Sequence, residues 1–158
     1  MRARDVMLFG ALGLAPDLDL LFGIHSGPTH GIGAAALAAS VAWFPLDRGR
    51  TTSERLRLAL ACALAYASHI LLDWLGTDSS PPIGIMALWP FSQAHFESSL
   101  HLFPAVSRRI HQPELFWPQN VKALLWEVGI LGPVLAGIVT WRRSFVSDRI
   151  QGRQSRRP

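Results

Sequence analysis

The sequence predicts an all-α fold: an integral-membrane helical bundle of about four helices, with a long loop covering a metal site. Three observations predict it. Apolar residues make up 49 % of the 158-residue chain and charged residues only 16 %, against roughly 25 % charged in an ordinary soluble domain. Two stretches, Leu20 to Leu46 and Leu58 to Leu72, contain no Asp, Glu, Lys or Arg, which is long for a helix that faces water. The acids and histidines inside this apolar chain gather in two short segments, APDLDLLFGIHSGPTH and SHILLD. A mean hydropathy of +0.24 agrees with lipid contact. The length suits a single domain with one core.

Four segments carry helical character. The first, roughly 5–15, runs into Pro16, which ends a helix and leaves Asp17 and Asp19 at its end or in a loop. It falls short of the ~20 residues a bilayer core demands, so it spans only by tilting, in thinned lipid, or by continuing past Pro16. The second, 30–46, is rich in Ala and Gly, which allow close helix contacts in membranes. The third and fourth, 55–76 and 121–141, approach spanning length. Together they make one membrane domain, 1–141, followed by a basic cytoplasmic tail, 142–158. Trp43, Trp74, Trp117, Trp126 and Trp141 lie near segment ends, where an amphipathic ring suits the interface as well as a core.

The stretch 77–120 is long for a loop, and such loops usually have a function. Ile83, Ile85, Met86, Leu88 and Phe91 would dock it on the helices as a lid or wall. Cys62 is the one cysteine, so no disulfide framework exists. No cleavable signal peptide is evident, because the N-terminal apolar stretch meets Pro-Asp instead of a small-residue cleavage site.

If all four segments cross, the N-terminus, the 47–57 loop and the tail share one side. That side holds twelve of the fifteen Lys and Arg residues, and the other holds only Arg108, Arg109 and Lys122. The bias places both termini in the cytoplasm and the Asp/His segments toward the outer face. The tail lacks the aromatic platform of a nucleic-acid reader, so no nucleic-acid partner is expected.

A carboxylate among apolar helices must be neutralised, paired or coordinated. His69 and Asp73, spaced i, i+4, share a helical face, and carboxylate with neutral imidazole is a ligand set for zinc, manganese or iron. The predicted ligands are Asp17, Asp19, His30, His69 and Asp73 of one or more divalent ions, zinc above all. His25 is a ligand or proton shuttle. Such a centre suits hydrolysis of a phosphoester, ester or amide. Each residue alone has a plainer role. His69 and Asp73 could pair, the aspartates could open a turn, and Thr29 could cap a helix as readily as bind substrate. His95, His101 and His111 suit a surface. A non-catalytic metal or proton carrier, or a soluble all-α zinc hydrolase, would use the same residues.

The motifs PDLD (16–19), HSGPTH (25–30), SHILLD (68–73) and LWPF (88–91), with Phe96, resemble the YdjM-type family of bacterial inner-membrane proteins, described as metal-dependent hydrolases. The resemblance covers about residues 10–105. It implies a bacterial inner-membrane location, a hydrolytic activity on a small-molecule or lipid substrate, and Asp17, Asp19, His25, His30, His69 and Asp73 as metal-site residues. Ser26 stands where that family usually has Arg, and Gly31 where it has Ser; the basic run before Phe96 is Gln93, Ala94 and His95. Anion recognition would then fall to Arg108 or Arg109, or the substrate differs. More distantly, that family is similar to zinc-dependent phospholipase C and P1-type nucleases, which implies a phosphodiester or phospholipid substrate and adds Glu97 as a candidate late ligand or base.

Overall fold

Thr51, Glu54 and the apolar run behind them set the central element of the chain. In the computed structural model, which describes residues 3–22, 26–44, 51–79, 81–107 and 109–154, Glu54 N–H donates to Thr51 Oγ1 at 3.3 Å and Thr51 N–H to Glu54 Oε2 at 2.8 Å. This capping box satisfies two amides at a helix start that have no intrahelical partner. It starts helix α3 (Thr52–Leu75) three residues ahead of the predicted 55, and Thr-Thr-Ser-Glu, 51–54, is the legible signal.

Four α-helices make up the described residues, with no strand among them: α1 (Ala3–Leu14), α2 (Ile32–Trp43), α3, and α4 (Pro113–Gln154). They fall into two compact units, Met1–Ala105 and Val106–Pro158. In the first unit, α1 and α2 both pack on α3. Tyr66, Ile70 and Ile85 form the buried centre, with Leu12, Ala15, Ala34, Ala35 and Ala38 around it. The small residues on α2 let the backbones approach closely.

Pro16 does not release the chain into a loop. Residues Ala15–Phe22 continue α1 as a 3-10 helix, a tighter winding. Helix α2 is shorter than the predicted 30–46. Gly31, with φ −111° and ψ 160°, is its N-cap, and Phe44 at ψ 132° leaves it, the extended conformation favoured before the proline at 45.

The segment after α3 is irregular but tied down. Ile85 and Phe96 pair as a single antiparallel bridge, and Gly76 with Phe103 as a parallel one. Ile32 N–H donates to Ala87 O at 2.9 Å and Gly33 N–H to Trp89 O at 2.8 Å. Two amides at the α2 N-terminus are thereby satisfied by backbone carbonyls of the LWPF segment and the alanine before it instead of a side chain. A Cβ on Gly33 would lie 2.7 Å from Pro90 Cδ and 2.8 Å from Trp89 Cε3, so glycine permits this approach.

In the second unit, α4 begins at Pro113, within the predicted 77–120 loop, and runs to Gln154, through much of the predicted tail. Proline at the first helical position and Glu114 in the first turn suit a helix start. Ser107 N–H donates to Asn120 Oδ1 at 2.7 Å and Asn120 Nδ2 to Ser107 O at 3.1 Å, fastening the preceding segment to the helix. Helix α3 and the Pro113–Ser144 part of α4 are long and apolar enough to cross a membrane. Leu124, Leu125, Val128, Val134, Leu135 and Ile138 of α4 are all exposed; such a surface suits lipid and not water.

Candidate metal centre

Pro16 has a second effect. In a 3-10 turn the carbonyl of residue 13 accepts from the amide of residue 16, and proline has none. Gly13 O instead accepts from His69 Nδ1 on α3 at 2.7 Å. A carbonyl can only accept, so a proton sits on Nδ1, and Nε2 is the nitrogen turned toward the cluster. That Nε2 is buried with no hydrogen-bond partner. Its neighbours are two carboxylate oxygens, Asp17 Oδ1 and Asp73 Oδ2, each at 3.5 Å.

His30 repeats the arrangement from the other side. It is fully buried, on the short turn Pro28–His30 that leads into α2. Its Nδ1 lies 3.2 Å from Asp19 Oδ2 and 3.1 Å from Thr29 Oγ1. Its Nε2 lies 3.1 Å from Asp73 Oδ2. Thr29 Oγ1 donates to Asp19 Oδ2 at 2.9 Å and Gly27 N–H donates to the same oxygen at 3.4 Å. Tyr66 hydroxyl donates to Thr29 O at 2.8 Å, anchoring the turn to α3.

Four donors therefore converge: one atom each from Asp17, His30, His69 and Asp73, all within 4.8 Å of one another. Zinc bonds of about 2.0–2.2 Å would set tetrahedral ligands roughly 3.3–3.6 Å apart, and the close contacts here are 3.1, 3.5 and 3.5 Å. The charge balance asks for the same thing. Asp17, Asp19 and Asp73 make ion pairs only with His30 and His69 among the described residues. The carboxylates of Asp17 and Asp73 lie together inside the cluster, with Asp19 behind His30, and a divalent cation between them offsets that concentration of buried negative charge. The residues fit a divalent metal.

Of the residues singled out from sequence, Asp17, His30, His69 and Asp73 meet. Asp19 stands behind His30, on the nitrogen turned away from the cluster, where a carboxylate orients a ligand. Thr29 neither caps α2, whose N-cap is Gly31, nor faces outward; its hydroxyl is spent on Asp19. Glu97 lies outside the four, held in its loop by Asp78 N–H at 3.5 Å and His101 Nδ1 at 3.6 Å. Arg109 belongs to the second unit and is exposed, its amide donating to Ser107 Oγ. His25 and Arg108 lie outside the described residues. Sequence reasoning missed Tyr66 and the Gly13 carbonyl. Tyr66 had a signal: it is the one tyrosine in the chain, three residues before His69. The carbonyl had none.

The model of the YdjM inner membrane protein family matches residues 2–145 of the chain. No curated protein and no solved structure matches it.

Proposed function

The chain belongs to the YdjM inner membrane protein family, and on that footing we propose that it is a membrane-bound, zinc-dependent hydrolase acting on a phosphoester. The observation that carries this reading is the convergence on His69 Nε2, a buried nitrogen with no hydrogen-bond partner, of two carboxylate oxygens at 3.5 Å. Zinc bound there supplies Lewis acidity that makes water nucleophilic near neutral pH. His30, His69 and Asp73 hold the ion from the protein side. Asp17, its side chain 42 % exposed, is the fourth donor and lies on the open side, where the carboxylate oxygen not given to the ion would take the proton that water gives up. The arginine distribution favours both termini in the cytoplasm, which puts the centre near the outer end of α3.

A metal or proton carrier would need polar ionisable groups at several depths. Between Arg57 and His69, α3 offers only Cys62, Tyr66 and Ser68 as polar or titratable side chains, which favours a site over a path.

Metal analysis of the purified protein tests the proposal. Zinc near one equivalent is expected, falling to trace in a His69→Ala, Asp73→Ala double variant, together with metal-dependent cleavage of a soluble phosphodiester. Zinc at trace level in the unaltered protein, or unchanged in the double variant, overturns it.

A further inference from the structure

The depth of the centre and the residues around its mouth say how substrate arrives. Along α3, Arg57 is the last charged residue before the apolar run and Asp73 the first after it. At ~1.5 Å per residue, His69 stands about 18 Å and Asp73 about 24 Å above Arg57. With Arg57 at the near boundary of a bilayer core ~30 Å thick, both side chains fall below the far boundary, and helix tilt only lowers them. The polar run that marks that boundary, Thr77 to Ser79, comes one turn later.

At this depth the open side of the centre is not lined for water. Asp17 projects from the 3-10 helix Ala15–Phe22, and its companions on that element are Leu18, Leu21 and Phe22, with Leu14 just before it. Leu21 is 78 % and Phe22 80 % exposed, and Leu14 and Leu18 are more than half exposed. Residues three apart share a face of a 3-10 helix, so Asp17 lies in line with Leu14 and Leu20, and Leu18 and Leu21 form the adjacent row. Large apolar side chains left exposed along the element that carries Asp17 would be costly in water and are at home in hydrocarbon.

We propose that the centre opens sideways into the bilayer past Leu18, Leu21 and Phe22, and that its substrate is a membrane lipid bearing a phosphodiester, which enters laterally with its acyl chains still in lipid. This rests on the hydrolase reading above and adds the substrate's source. Water adds to phosphorus, the P–O bond to one alcohol breaks, and the proton held at Asp17 passes to the departing alkoxide.

The test uses the full chain in phospholipid vesicles, in a Cys62→Ala background with a nitroxide at Leu21→Cys, or at Leu18→Cys should the first fail to retain zinc. Ser79→Cys serves as the aqueous reference. The label beside the site should collide readily with oxygen and lose access to a water-soluble nickel chelate, with the reverse at position 79. Zinc-loaded protein should cleave vesicle phospholipid on the order of tenfold faster than bis(p-nitrophenyl) phosphate, since the buried acyl chains supply binding energy that the soluble diester lacks. A label open to the nickel chelate, or faster cleavage of the soluble diester, overturns lateral entry and leaves the hydrolase standing. Cleavage of neither substrate by protein holding a full equivalent of zinc overturns both.

Discussion

Asp19 is the residue whose role differs most between a list of ligands and a set of positions. It is 5 % exposed, too far back to join the four converging donors, and it holds His30 in the tautomer that leaves Nε2 for a metal. Asp19→Asn keeps the shape and loses the charge, so zinc affinity should fall about 10–100-fold while stoichiometry at saturating zinc is retained. Competition with a chromophoric chelator reads this directly; an affinity loss as complete as in His69→Ala would make Asp19 a ligand after all. Tyr66→Phe removes one hydrogen bond to the Thr29 carbonyl and should cost about 0.5–1.5 kcal/mol of stability, seen as a lower melting temperature in detergent. The sequence displayed these side chains because acids and histidines are conspicuous among leucines. It could not display their ranking, since Asp17 and Asp19 differ by two positions in a motif and only the 3-10 winding turns one toward the cluster and the other behind His30.

At the scale of elements, the two 12-residue helices α1 and α2 deliver the ends that α3 cannot make alone. The Ala-rich second segment and the apolar third were legible from composition, and the short first segment from Pro16. Their junctions were less so, because they depend on contacts distant in sequence. The LWPF segment capping α2 is the clearest case. Gly33→Ala places a methyl under 3 Å from Trp89 and Pro90, and should destabilise by about 1–3 kcal/mol. Gly10→Ala, with nothing within 4 Å, is the matched control and should be neutral or stabilising by about 0.5–1 kcal/mol. Equal melting temperatures for the two variants would mean that the segment is not docked as described. At the other end of α3, Thr51→Ala removes the capping hydroxyl and should cost about 1 kcal/mol.

For the whole molecule, membership of an inner-membrane family and two helices of spanning character agree with the scarcity of charge that composition announced. The extent of α4 was not announced. Its early turns read as loop because of Pro113 and Pro118, and its late turns as tail because of their arginines, yet neither proline forbids a helix: the first needs no N–H at that position and the second forfeits one bond. Carbonate washing should leave the protein in the membrane pellet. Maleimide labelling of Thr51→Cys and Ser79→Cys in sealed vesicles should mark opposite sides, because α3 between them is 24 residues long, about 36 Å. Labelling of both from one side would remove α3 as a span and with it the depth assigned to the centre.

The bond from His69 to the Gly13 carbonyl makes the support of one imidazole independent of any side chain. An alanine scan would pass over position 13 without registering it, and the residue there could change freely as long as the turn kept its winding. The vulnerable point is Pro16, three positions away: any replacement restores an amide that can compete for the same oxygen. A deep mutational map of this protein should therefore show intolerance at a proline with no chemistry of its own.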